Sequence, residues 1–234
     1  MIKTFIGYDS RETIAFHVLS HSIHRRASKP VEISPLMLSQ LSNIFSREKH
    51  PLQSTDFSFS RFLVPYLSNF DGWSMFCDCD MLMVDDIVNL WSLRDDRYAI
   101  QVVKHDHKPT EESKFLNQPQ SKYEKKNWSS VILFNNTKCK ALTLDYVNKA
   151  TGLELHQFKW LENDELIGEL PSRWNHLVDY DPNQPKEELS LLHFTKGGPY
   201  FENYKNCGYA ELWFKERNKM MYSGIEHSSC LHPK

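Results

Sequence analysis

Two carboxylates separated by one residue, Asp78 and Asp80, interrupt a stretch that otherwise reads as interior, the run WSMFCDCDMLMVDDI over residues 73–87. Trp73, Met75, Phe76 and Cys77 have the content of a short buried strand, and Met81 to Val84 resume it. An ionised carboxylate is costly to take out of water, so two of them bracketed by core residues call for a cation, hydrogen-bond donors or a wet cleft. In extended backbone, residues two apart share a side, which sets Asp78 and Asp80 against Cys77 and Cys79. Such a pair suits a hard divalent cation shared with substrate phosphates. The alternative is a loop with two solvated acids.

Other residues with chemical capacity lie at the ends of predicted strands. Tyr8, Asp9 and Arg11 follow the first strand, where an open α/β sheet binds ligands, and are candidates for a base or ribose contact; Asp9 or Ser10 could equally cap the next helix. Arg61 is the single charge inside FSFSRFLVPYLSN, so it needs an anionic partner, either a protein carboxylate or a phosphorylated ligand. Lys196, Gly197 and Gly198 follow His193 at the end of the last strand; the glycines can bring backbone N–H groups close to a phosphate while the lysine supplies charge. His105 and His107 sit in a polar segment and read as solvated. Glu162, Asp164 and Glu165 read as a wet helical face, and Asp85-Asp86 as the start of a short helix.

The elements that would position these groups alternate. Residues 2–8 form a strand, a helix follows with Ile14, Ala15, Val18, Leu19 and Ile23 inward, and a second strand lies near residues 31–36. Residues 57–69 look helical, with Pro65 kinking the helix or marking a second start. Further strands are predicted at 97–103, 127–135 and 189–194. A helix capped by Thr137 and ended by Gly152 follows the second of these, and a last helix covers 207–221. Residues 104–126 form the longest loop, a candidate lid or binding loop. The reading is an α/β fold, a single Rossmann-like domain over residues 1–222 with a mixed, mostly parallel central sheet flanked by helices, and a tail at 223–234.

Composition narrows the class. The chain has 234 residues, a formal net charge of -2, 13% aromatic and 25% charged residues, and a mean hydropathy of -0.55. No basic excess points to nucleic acid, and no apolar run approaches the roughly 20 residues of a membrane span. The start MIKTFIGYD lacks the pattern of a signal peptide, so a cytoplasmic location is expected. Five cysteines without CxxC spacing argue against a disulfide framework or a zinc ribbon.

The motifs FIGYDS, SRFLVPYL, Asp78-x-Asp80, NWSSVILFN, LPSRWN and HFTKGGPYF, taken in order across most of residues 2–201, resemble the metal-dependent glycosyltransferases of the GT-A fold, most closely those like glycosyltransferase family 8. The resemblance implies that Asp78 and Asp80 match the DxD, with Asp80 a metal ligand and Asp78 shared with the ribose, and that His193 completes a manganese (or magnesium) site. It further implies that Tyr8 and Asp9 lie in the nucleotide-base pocket, that Arg61 touches the donor, and that Asn127, Ser129 and Ser130 line the sugar pocket. Asn163 and Asp164 fall where the family carries Asp-Gln near the reacting sugar. The chain departs from the family's His-x-x-Gly-x-x-Lys-Pro: here Lys196 comes third after His193 and the glycines follow it.

The activity implied is transfer of a sugar from a nucleotide-diphosphate donor, a UDP-sugar, to the hydroxyl of a carbohydrate or other acceptor, with retention at the anomeric carbon. Two rivals share the motif chemistry. A haloacid dehalogenase-like phosphohydrolase would use the first aspartate as nucleophile, but commonly has Thr or Val where this chain has Leu82. A catalytically silent nucleotide-sugar-binding domain would keep the site without turnover.

Overall fold

The computed structural model describes residues 1–48, 53, 55–106, 113–114, 118–119 and 124–222. The predicted turn at His50-Pro51, His107, much of the 104–126 loop and the whole 223–234 tail lie outside the described residues. Eleven strands are described: β1 (Ile2–Gly7), β2 (Val31–Leu36), β3 (Trp73–Cys77), β4 (Met81–Met83), β5 (Ile100–Val102), β6 (Ser113–Lys114), β7 (Gln118–Pro119), β8 (Val131–Asn135), β9 (Ile167–Glu169), β10 (His176–Leu177) and β11 (Leu191–His193). Six of them form the central sheet in the order β2-β1-β3-β8-β5-β9. Five run in one direction; β8 pairs antiparallel with both β3 and β5 and opposes the rest. This is the mixed, mostly parallel sheet predicted. Pro35 is tolerated because β2 is an edge strand.

A three-stranded sheet, β10-β11-β4, stands beside the first, and β6 and β7 form a short ribbon. The helices are α1 (Thr13–Arg26), α2 (Val64–Leu67), α3 (Ile87–Trp91), α4 (Leu144–Lys149), α5 (Gly152–His156) and α6 (Ala210–Tyr222). The main core joins Ile6, Leu19, Phe62, Phe76, Ile132 and Phe134 across the central sheet. A second cluster, around Leu82, Leu192 and Trp213, packs the small sheet against α1 and α6. The α1 and α6 helices are locked by Glu216, 2% exposed, which accepts from Arg25 Nε (2.9 Å) and Arg26 NH2 (2.8 Å) and pairs with His21 Nδ1 (2.8 Å).

Several boundaries differ from expectation for local reasons. Pro65 sits in the first turn of α2, a fresh start after the 3-10 turn Ser60–Leu63 rather than a kink. The strand predicted from residue 127 begins at Val131, because Asn127 is left-handed (φ 63°) and opens a 3-10 turn at Trp128–Ser130. Thr137 spends its hydroxyl on Asn135 Oδ1 (2.7 Å) and caps nothing. Thr143 caps α4 instead, and Gly152 starts α5 rather than ending a helix, behind a capping box made by Thr151 and Glu154. Among the described residues, no helix is long and apolar enough to cross a membrane.

Candidate active site

Asp78 and Asp80 span the gap between the two sheets. The Asp78 N–H donates to the Ser130 carbonyl (3.0 Å) at the end of the central sheet, while the Asp80 carbonyl accepts from the Phe194 N–H (2.9 Å) beside β11. His193, the last residue of β11, pairs with Met81 at the start of β4. One ligand atom each from Asp78, Asp80 and His193 lies within 4.8 Å of the others. His193 Nε2 is 3.4 Å from Asp80 Oδ1 and 4.0 Å from Asp78 Oδ2. Donors at about 2.0–2.6 Å from one shared ion lie at most about 5 Å apart, so the set fits a divalent cation. Asp80 Oδ1 is buried and accepts no hydrogen bond from the described residues, a lone pair that a cation would satisfy. Oxygen donors with one imidazole suit a hard or borderline ion.

The histidine's tautomer follows from its neighbours. Asn175 Nδ2 donates to the Asn127 carbonyl (3.2 Å), which turns Asn175 Oδ1 toward His193 Nδ1 (2.9 Å). That oxygen can only accept, so His193 carries a proton on Nδ1, and in the neutral ring it is Nε2 that turns a lone pair to the aspartates. Asn175 is fully buried. Sequence reasoning missed it, because Asn175 sits among Ser172 and Arg173 in a turn of mixed polarity.

Asp78 is 9% exposed. Burial pushes its carboxyl up to about 6, against the Arg61 guanidinium and with the help of the Asp80 charge. Burial would lower His193, but the Asp80 charge beside it overrides this and raises it. Arg61 is the buried partner of Asp78: NH1 lies 2.7 Å from Asp78 Oδ1 and donates to the Ser129 carbonyl (2.8 Å), Nε donates to the Ser58 carbonyl (3.1 Å), and the Phe76 ring lies beneath at 4.9 Å. The protein-carboxylate alternative for Arg61 is thus the one realised here. Ser129 Oγ is bonded to His156 Nδ1 (2.8 Å), so the Ser129 and Ser130 segment is fixed from both sides.

On the other flank, Asp9 is fully buried and accepts from Arg11 Nε (2.9 Å), Arg11 N (2.9 Å) and Asp56 N (3.0 Å). Burial alone would raise Asp9; the arginine and the two amides together hold it below its ordinary value. Tyr8 Oη is bonded to Thr13 Oγ1 (3.0 Å). Asp9 therefore caps the turn before α1, as the alternative reading had it, and clamps Arg11 and the 56–58 loop at the same time. Glu12 was not foreseen. It is 2% exposed, accepts from Tyr200 Oη (2.6 Å), and is pushed up to about 8, first by burial and then by the charge of Asp80.

Lys196 lies over the Tyr180 ring at 4.2 Å. Gly197 has φ +140°, and a Cβ there would fall 2.6 Å from the Tyr204 ring; one on Gly198 would fall 2.1 Å from the Tyr200 ring. Close aromatic packing therefore requires both glycines. Asn163 and Asp164 are exposed: Asn163 caps the 3-10 turn Asp164–Leu166, and Asp164 Oδ1 accepts from Lys125 Nζ (2.6 Å), two residues before Asn127. Cys77 and Cys79 are wholly buried, with thiols pushed far up by burial, and are no part of the ligand set.

This architecture is that of the GT-A-type glycosyltransferases. The chain superposes on the glycosyltransferase GlyE of Streptococcus pneumoniae TIGR4 with a TM-score of 0.62 at 14% identity, covering 93% of this chain and 61% of that one. It superposes on the galactosyltransferase LgtC, solved with donor and acceptor sugar analogues, with a TM-score of 0.57 at 11% identity, covering 93% and 96%. A glycosyltransferase involved in glycosylation of the major capsid of PBCV-1 gives 0.53 at 11% identity, covering 94% and 98%. At such identities the likeness is one of fold, and the chain spans about three fifths of GlyE. No protein-family model matches. Protein CDI of Arabidopsis thaliana is 47% identical over 225 residues, 92% of this chain and 85% of that one, and the chain belongs to the family of Protein CDI.

Proposed function

We propose that the protein is a glycosyltransferase that moves a sugar from a nucleotide-diphosphate donor, a UDP-sugar, to an acceptor hydroxyl, using Mn2+ or Mg2+ and retaining the anomeric configuration. The observation that carries the reading is the convergence of Asp78, Asp80 and His193, with the buried Asp80 Oδ1 left without a donor. Asp78, Asp80 and His193 would hold the ion through Oδ2, Oδ1 and Nε2. A bound divalent cation supplies Lewis-acid stabilisation for the charge that gathers on a departing diphosphate.

The chain's own residues do the rest. Arg61 neutralises one oxygen of Asp78 and leaves Oδ2 toward His193. Asn127, Ser129 and Ser130 are the proposed sugar-pocket wall. Tyr8, Asp9 and Arg11 are the proposed base and ribose wall, and Lys196 with the Gly197 and Gly198 amides the proposed diphosphate contact. Asp164, on an exposed turn tied to Lys125, is proposed to orient an acceptor or sugar hydroxyl, with Asn163 shaping that turn. Residues 1–222 are taken as one catalytic domain, and the free thiols of the four described cysteines favour a cytoplasmic setting. The phosphohydrolase rival needs Asp78 as a free nucleophile, whereas its Oδ1 is held by Arg61.

Isothermal titration with UDP, with and without Mn2+, tests the metal assignment. Asp80→Ala is expected to abolish the Mn2+-dependent part of the affinity, and retention of full affinity would remove the assignment. A screen of UDP- and GDP-sugars, read by donor hydrolysis, then separates an enzyme from a silent binding domain: turnover of any donor excludes the silent domain.

A further inference from the structure

A cavity of about 450 Å³ lies between the end of β5, the turn after β9 and β10. The register places it. Val102 pairs with Ile132, and Cys77 with Val131, so Val103 and Cys77 flank Val131 on either side. Two strand spacings of about 4.8 Å put the Val103 backbone about 10 Å from that of Cys77, at the same carboxyl edge of the sheet. Consecutive residues face the two places: Asn175 turns its amide to His193, and His176, the next residue, lines the cavity.

Its lining selects by charge. Among the described residues of the lining, Asp106, Glu169, Asp181 and Glu188 contribute carboxylates, against the two cations Lys104 and Arg173. Arg173 is already engaged, donating to Ser190 Oγ (2.6 Å) and to the Glu187 carbonyl (3.2 Å). The wall is thus rich in acceptors and net negative, hospitable to hydroxyl donors and hostile to phosphate or carboxylate. Val103, Leu170 and Leu189 supply an apolar floor for C–H faces. His176 is 5% exposed, and its Nε2 has no hydrogen-bond partner among the described residues. Burial lowers its pKa despite Asp181 3.8 Å away, so the neutral ring can give or take one hydrogen bond.

We propose that this cavity is the acceptor site and that it takes a neutral, hydroxyl-rich glycoside rather than a phosphorylated or acidic one. The acceptor role rests on the transferase reading; the sugar-binding property does not. The test is ligand-observed NMR on the full chain with cellobiose, lactose, maltose and cellobiouronic acid, in the absence of nucleotide, alongside the UDP and Mn2+ titration. Cellobiouronic acid is expected to bind about tenfold more weakly than cellobiose. Ser172→Trp, a substitution at an exposed position on the cavity wall, should weaken neutral disaccharide binding by about tenfold and leave the UDP titration unchanged. Glu169→Lys, also at an exposed position, should narrow the gap between acid and neutral sugar. Failure of all three neutral disaccharides to bind at millimolar concentration, or binding indifferent to Ser172→Trp while UDP still binds, overturns the cavity assignment alone. Cellobiose bound in the cavity of a wild type without Mn2+-dependent UDP affinity overturns the acceptor role together with the transferase reading.

Discussion

His193 can serve an ion only because a buried amide fixes which of its nitrogens is bare. Asn175→Ala removes the acceptor for Nδ1–H, frees the ring to flip or change tautomer, and is expected to weaken Mn2+ binding 10- to 100-fold, a typical cost of losing such a partner. Titration of Mn2+ followed by its paramagnetic relaxation of water checks this without recourse to turnover. The second residue-scale prediction concerns Glu12. Its folded pKa of about 8 lies above the ordinary 4.5, so between those values the folded chain holds a proton that the unfolded chain has released. Stability therefore falls as pH rises from about 4.5 to 8. Glu12→Gln, which keeps an acceptor for Tyr200, should flatten that fall in urea melts; an unchanged slope would show that Glu12 is not its source. Neither residue was legible in the sequence as functional. Asn175 looks like part of a turn, and Glu12 like any acid opening a helix, because both owe their roles to partners distant in sequence, His193 and Tyr200.

Among the elements, α1 and α6 depend on one carboxylate. Glu216 is held down to about 2 by Arg25 and Arg26 against the opposing effect of burial. The sign is opposite to that of Glu12: its contribution is whole above about 4.5 and is lost as pH falls toward about 2. Glu216→Gln leaves Arg25, Arg26 and His21 around a neutral amide and should cost about 1–3 kcal/mol at neutral pH, measured by urea unfolding. The wild-type excess should vanish in acid. The α1 face was readable from the spacing of Ala15, Val18, Leu19 and Ile23, all buried as periodicity requires. The clamp was not, since no pattern joins Arg25 to Glu216. Elsewhere the missed signals were local: Thr151-x-x-Glu154 is a capping box in plain view, and reading Gly152 as a stop obscured it.

At the scale of the molecule, five of the six strands of the central sheet were legible because each contains a short apolar run bounded by polar residues, whereas β9, a three-residue strand after an acidic turn, was not. What the pattern could not supply was the antiparallel course of β8 or the division into two sheets, since both depend on pairings far apart in the chain. The site joins the sheets, so ligands bound there should stabilise the whole fold. Saturation with the Mn2+–UDP complex at about 100 times its Kd should add about 2.7 kcal/mol. Thermal melts should register that gain, and EDTA should cancel it. A melting temperature indifferent to both ligands together would contradict a site shared by the two sheets.

One placement bears on how the protein comes into being on the ribosome. Asp78 and Asp80 are synthesised early, with Arg61 already in the growing chain, whereas His193 arrives with the last strand of the small sheet. A nascent chain thus carries an acidic pair with only the arginine as counterion. An ion held by all three side chains would therefore be loaded only after the docking of β11.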